Sequence, residues 1–82
     1  MVKVIIYTKE SCPFCIRAKI LLKKYNVKFE EIIVNSQEEK EKLVEKTMWM
    51  TFPQIFINEQ FVGGCDDLYK LESEGKLKTM LS

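Results

Sequence analysis

With 82 residues, 46% of them apolar, the chain has room for one modest core, and its 30% charged residues of both signs argue against disorder. Thirteen basic residues against twelve acidic ones leave a net charge of +1, which excludes the basic field of a nucleic-acid or anionic-membrane binder. The absence of histidine removes the usual partner of a hydrolytic Cys or Ser nucleophile and the commonest nitrogen ligand of a metal site.

Taken in chain order, Val2, Val4, Ile5, Ile6 and Tyr7 form a nearly continuous apolar run with strand preference, as expected of a central strand covered on both faces. No long apolar core or small-residue cleavage site follows, so no leader or membrane span is expected and the cytoplasm is the expected location. A polar turn from Thr8 to Ser11 leads to Pro13, suited to the first turn of a helix, with Ile16, Ile20 and Leu21 as its apolar positions. That helix is expected to run to about Tyr25 and stop at Asn26, which tolerates the left-handed conformation.

Lys28 to Val34 reads as a second strand, parallel to the first through a right-handed crossover. Ser36 with Glu39 three residues on predicts a capping box for a charged helix reaching Lys46, with Leu43 and Val44 as its narrow apolar face. Ile55 to Ile57, the turn Asn58-Glu59 and Phe61-Val62 predict a hairpin that ends at Gly63-Gly64. Asp66 or Asp67 then caps a helix to about Glu74, Gly75 stops it, and Leu77, Met80 and Leu81 make an amphipathic tail. The expected product is an α/β domain over 1–82, one mixed four-stranded sheet with helices on both faces and no linker or repeat.

Cys12 and Cys15 stand three residues apart where the first helix begins. That spacing puts both on one helix face, about 5–6 Å apart and within disulfide range. Unpaired N–H groups and the helix dipole favour a thiolate at Cys12, while Cys15 is one turn inside and more shielded. Cys12 is therefore expected to be an exposed nucleophile that attacks a disulfide, and Cys15 the thiol that resolves the mixed disulfide. Lys9 is placed to add positive charge beside them. A C-x-x-C pair is also half of a zinc site, but without histidine only Cys65 and carboxylates remain to complete it, so no metal is expected.

Three motifs, in order, are Tyr7-Thr8-Lys9 leading into Cys12-Pro13-Phe14-Cys15, Thr51-Phe52-Pro53-Gln54-Ile55-Phe56-Ile57, and Gly63-Gly64-Cys65-Asp66-Asp67-Leu68. On these the chain resembles the bacterial dithiol glutaredoxins over essentially its full length. The resemblance implies a thioredoxin-type fold and an oxidoreductase that reduces protein disulfides and glutathione mixed disulfides, with glutathione as co-substrate and no bound cofactor. It implies that Lys9 and Phe14 flank the tripeptide and that Thr51 to Pro53 form part of the site. The Phe52 backbone would pair with the cysteinyl part of glutathione, and Pro53 would be cis. Gly64, Cys65, Asp66 and Asp67 would surround the γ-glutamyl end, with helix N–H groups on its carboxylate and Asp67 on its amine.

Read without the family, Pro53 is an ordinary trans residue at a strand start, Asp66 and Asp67 are helix caps, Lys9 is a solvated lysine and Cys65 a structural thiol. The family commonly has tyrosine at Phe14 and valine at Phe52, and Met48-Trp49-Met50 replaces a glycine-containing stretch with an arginine. Those three residues either pack on the sheet or form an apolar patch for protein partners. The expected partners are glutathione and disulfide-bonded or glutathionylated proteins, including a reductase such as ribonucleotide reductase, with the chain itself a monomer. Two other functions fit parts of the pattern: a hydrogen donor recycled by a flavin reductase, and a carrier holding an iron–sulfur cluster between two protomers through Cys12 and glutathione.

Overall fold

The computed structural model describes residues 2–82, so of the expected domain only Met1 lies outside it. Strands β1 (Val4–Thr8), β2 (Phe29–Ile33), β3 (Gln54–Ile57) and β4 (Gln60–Gly63) form one four-stranded sheet in the order β2-β1-β3-β4. Helices α1 (Pro13–Lys24), α2 (Gln37–Thr47), α3 (Cys65–Ser73) and α4 (Lys76–Met80) cover it. β1 runs parallel to β2 and antiparallel to β3, which pairs antiparallel with β4. The apolar run at the N-terminus is thus central, as its composition requires, and both edges are short.

Alternation along β1 divides the core. Val4 and Ile6 turn to one face with Ile55 and Ile57, where Ala18, Leu21 and Leu22 of α1, Leu68 of α3 and Leu77 of α4 close over them. Ile5 and Tyr7 turn to the other face, where α2 contributes Leu43 against Phe56, with Phe61 alongside. Each fully buried Leu or Ile side chain contributes about 1.5–3 kcal/mol of transfer free energy, so α1, α3 and α4 hold the larger share of the core. Glu72 accepts hydrogen bonds from Lys24 Nζ at 2.8 Å and from the Tyr25 hydroxyl, tying α3 to the end of α1.

Several local devices follow from residue type. Asn58 and Glu59 both take positive φ, 51° and 69°, the geometry of a tight hairpin turn whose twist matches the strands. Asn58 also anchors that turn, accepting from the Lys3 N–H at 2.9 Å and donating its own N–H to the Lys3 carbonyl at 2.7 Å. Asn26 ends α1 at φ 55°, as its tolerance of the left-handed region predicts. Ser36 caps α2 by accepting the Glu39 N–H at 3.2 Å, but the Glu39 carboxylate returns to the Ser36 hydroxyl rather than to its backbone.

Two expectations need correction. Ile16 and Ile20 are 55% and 59% exposed, and the buried stripe of α1 is Cys15, Ala18, Leu21 and Leu22. At 100° per residue Ile16 and Ile20 stand on the opposite side from that stripe, so their spacing gives helical period without saying which face is inward. α3 also begins earlier than the aspartates: its cap is Gly64, and Asp67 sits at the third helical position with its carboxylate accepting the Gly64 N–H at 3.0 Å.

Candidate active site

Cys12 occupies the N-cap of α1 in extended conformation, with Pro13 at the first helical position, where a missing N–H costs nothing. Its sulfur does what a serine or aspartate oxygen does at other caps: Sγ accepts the Cys15 N–H at 3.3 Å. The N–H groups and the dipole of α1 point at this sulfur. The Cys12 thiol also lies 3.8 Å from the Phe52 carbonyl, which brings the loop before β3 over the start of α1. The residue is 6% exposed, so the expectation of an exposed nucleophile is corrected: Cys12 is buried in the lining of a groove, beside the Phe52 backbone.

That groove, of about 680 Å³, brings together most of the residues singled out in the sequence. Lys9 and Ser11 of the turn after β1, Cys12, Pro13 and Phe14 at the start of α1, Trp49 to Phe52 and Gly64 to Asp67 line it. Phe14 stands half-exposed at the rim, and Ser11 reaches its place through a left-handed φ of 55°. Pro53 is buried behind the wall, joined to Phe52 by a cis peptide bond. Cys65 lies at the start of α3, almost wholly buried, with burial pushing its thiol up from the ordinary value. Two helix N-termini, those of α1 and α3, therefore line one groove, together with Lys9, Asp66 and Asp67.

The thiols of Cys12 and Cys15 differ in surroundings. Cys15 is buried and pushed up to about 12, first by burial and then by its hydrogen bond with Cys12, while the Lys9 backbone and the Lys19 charge pull the other way. All three cysteines are free. A thiol held protonated in the fold favours folding until the unfolded chain begins to ionise. The reduced protein is accordingly expected to lose stability as pH rises from 9.0 toward about 12, and Cys15→Ser to flatten that loss in urea midpoints measured across the range.

The groove wall is held by a residue of the second motif to which the sequence assigned no role. Gln54 is fully buried at the start of β3, and its amide donates to the carbonyls of Trp49 at 2.6 Å and Thr51 at 3.3 Å. Its oxygen accepts from the Thr47 hydroxyl at 2.8 Å, so one side chain fixes the end of α2 and the loop over Cys12. Gln54→Leu is expected to cost about 1–3 kcal/mol by orphaning these groups. A lower urea midpoint together with faster amide exchange at 47–52 would record it.

Met48, Trp49 and Met50 divide between the two readings offered for them. Trp49 packs edge-to-face on Phe61 of β4 with ring centres 5.7 Å apart, whereas Met48 and Met50 are 83% and 69% exposed. The Trp49 indole N–H is buried with no hydrogen-bond partner among the described residues. Its ring also lies beside Gly64, where an added Cβ would be in ordinary contact with Nε1 at 3.5 Å and tighter against the Pro53 carbonyl at 3.3 Å.

A thiol that caps one helix, backed by a second thiol one turn on and set beside a mixed sheet of this topology, defines a thiol-redox protein of the thioredoxin-type fold. The glutaredoxin family profile matches residues 4–62. Glutaredoxin 1 of Rickettsia prowazekii is 57% identical over 81 residues, covering 95% of this chain and 85% of that one. Glutaredoxin 3 of Escherichia coli K12 is 46% identical over 82 residues, covering 99% of each. Among solved structures, the glutaredoxin from Brucella melitensis superposes with a TM-score of 0.87 at 51% identity, covering 99% of this chain and 89% of that one. The buckwheat glutaredoxin–glutathione complex does so with a TM-score of 0.87 at 28% identity, covering 95% and 74%. The chain belongs to the glutaredoxin family, whose members are thiol oxidoreductases working with glutathione.

Proposed function

We propose that this chain reduces protein disulfides and glutathione mixed disulfides by the dithiol route, with glutathione as the reducing co-substrate. The Cys12 thiolate attacks a substrate disulfide, forming a Cys12 mixed disulfide and releasing one substrate sulfur as a thiol. Cys15 then attacks Cys12, closing the Cys12–Cys15 disulfide and releasing the second sulfur. Two glutathione molecules restore the dithiol, giving up two electrons and two protons and leaving as oxidised glutathione. On substrates that already carry glutathione, Cys12 alone completes the cycle.

The observation that carries this reading is the Cys15 N–H on Cys12 Sγ at 3.3 Å, which sets the Cys12 sulfur at the start of α1 with Cys15 one turn inside as a protonated reserve. A buckwheat relative solved with glutathione supports glutathione as the ligand, and in this reading the tripeptide lies along the groove beside Cys12. Lys9 and Phe14 flank it, and Thr51 and the Phe52 backbone meet its cysteinyl part. Gly64 to Asp67 receive the γ-glutamyl end at the positive start of α3. Asp67 Oδ2 is already engaged with Gly64, which leaves Oδ1 to accept from the amine. The glycine carboxylate rests on Lys9, the basic side chain among the groove-lining residues. A monomer suffices, because every group named comes from one chain, and three unpaired thiols suit a reducing cytoplasm.

The test compares glutathione with 2-mercaptoethanol as reductant of a glutathionylated peptide. Catalysis is expected to saturate with glutathione and to be far weaker with the simple thiol at equal thiolate concentration. Equal, unsaturating rates with both would remove glutathione from the reading.

A further inference from the structure

The large groove reaches Cys12 but not Cys15. Cys15 opens instead onto a second cavity of about 240 Å³ behind the redox pair, lined by Thr8, Cys12, Ile16, Lys19 and Glu31 as well. Lys19 follows Cys15 by one helical turn, at the i,i+4 spacing that sets two side chains side by side. Its ammonium is 2.9 Å from Glu31 Oε2, and the same oxygen accepts the hydroxyl of Thr8, a buried residue, at 2.8 Å. The partners are 25% and 29% exposed, and among the described residues no other ion pair has both partners so sheltered. Lys19 is therefore held in place from β2 and from the end of β1, which a merely solvated helix lysine would not need.

We infer that Lys19 is a positioning residue for the resolving step, holding a positive charge beside Cys15 across this cavity so that the thiol can ionise when Cys12 carries substrate. The inference rests on the dithiol reading above. In the step concerned Cys15 gives its proton to a base of the solvent through the cavity. Its sulfur forms a bond to Cys12 Sγ, the bond from Cys12 to the substrate sulfur breaks, and the electron pair leaves on that sulfur. Lys19 stays protonated throughout and stabilises the thiolate by charge. Glu31, held below the usual carboxylate range by Lys19 and Thr8, keeps Lys19 from swinging into solvent. The charged and titratable groups facing Cys15 are Lys9, Glu10 and Cys12 from the β1–α1 turn, Lys19 from α1 and Glu31 from β2. Of these side chains, Lys19 is the one whose charge lowers the Cys15 thiol.

The test measures release of glutathione from Cys12-glutathionylated protein, without added thiol, across pH, for wild type, Lys19→Gln and Lys19→Arg. Lys19→Gln is expected to close the Cys12–Cys15 disulfide on the order of tenfold more slowly near neutral pH, the effect of one unit charge a helical turn away in a partly screened site. Its rate profile should move to higher pH, and Lys19→Arg should restore most of the rate. Glutathione turnover in the Cys15→Ser background is the control, since no resolving thiol remains there for Lys19 to serve. Wild-type closure with Lys19→Gln equally fast overturns the inference, as does equal slowing in the Cys15→Ser background or an arginine variant as slow as the glutamine one. Absence of closure in wild type would instead overturn the dithiol reading itself.

Discussion

Cys12→Ser is expected to bring the reduction of glutathionylated substrate down to the rate of uncatalysed exchange, while Cys15→Ser keeps most of the activity. The asymmetry follows from the start of α1. Serine at position 12 still caps the helix, since its oxygen accepts the same N–H, so the fold survives and only the nucleophile is lost. Serine at position 15 removes a buried thiol pushed up to about 12, which is a poor nucleophile until a mixed disulfide stands beside it. The difference disappears on one substrate class: a protein disulfide that needs resolution from the enzyme side should be reduced poorly by both variants. Coupled assays on the two substrates, run with circular dichroism to establish folding, separate these outcomes.

Gly63→Ala is expected to combine the largest stability loss in the site with weaker glutathione binding. Gly63 holds φ at 126°, a conformation that side chains rarely adopt, and an added Cβ would meet Asp67 Oδ2 at 2.5 Å and Asp67 Cγ at 2.7 Å. Relief requires Asp67 to move, which breaks its bond to the Gly64 N–H and opens the first turn of α3, where the γ-glutamyl end is proposed to rest. Backbone strain alone costs on the order of 1–3 kcal/mol. Urea unfolding and the KM for glutathione should both change, whereas Asp67→Asn, which keeps the shape and removes the charge, should raise KM with a smaller loss of stability.

What could be read from the sequence was what short-range chemistry decides. Pro13 after Cys12, Ser36 before a charged run, Asn58-Glu59 between apolar pairs and Gly75 after α3 each carry a local reason for their conformation, and each lies where that reason puts it. The contents of the groove were legible through the three motifs, because residues distant in the chain stand in them at family spacing. What escaped depends on contacts across the fold. The inward face of α1 is set by the sheet it meets, not by the spacing of Ile16 and Ile20. Gln54 looks like one more polar residue at a strand start until three partners converge on it. Lys19 and Glu31 are 12 residues apart, and only the parallel pairing of β1 with β2 brings them to one cavity. The depth of Cys12 depends on the Phe52 carbonyl, 40 residues away.

The inequality of the two thiols is tested most directly by mapping where glutathione attaches. Cys15→Ser protein treated with oxidised glutathione, digested and analysed by mass spectrometry should carry one adduct, on the peptide containing Cys12, with Cys65 unmodified. Wild type treated in the same way should end as a Cys12–Cys15 disulfide without adduct. A stable adduct on Cys65, or an adduct on Cys15 in a Cys12→Ser protein formed as fast as that on Cys12, would contradict the account.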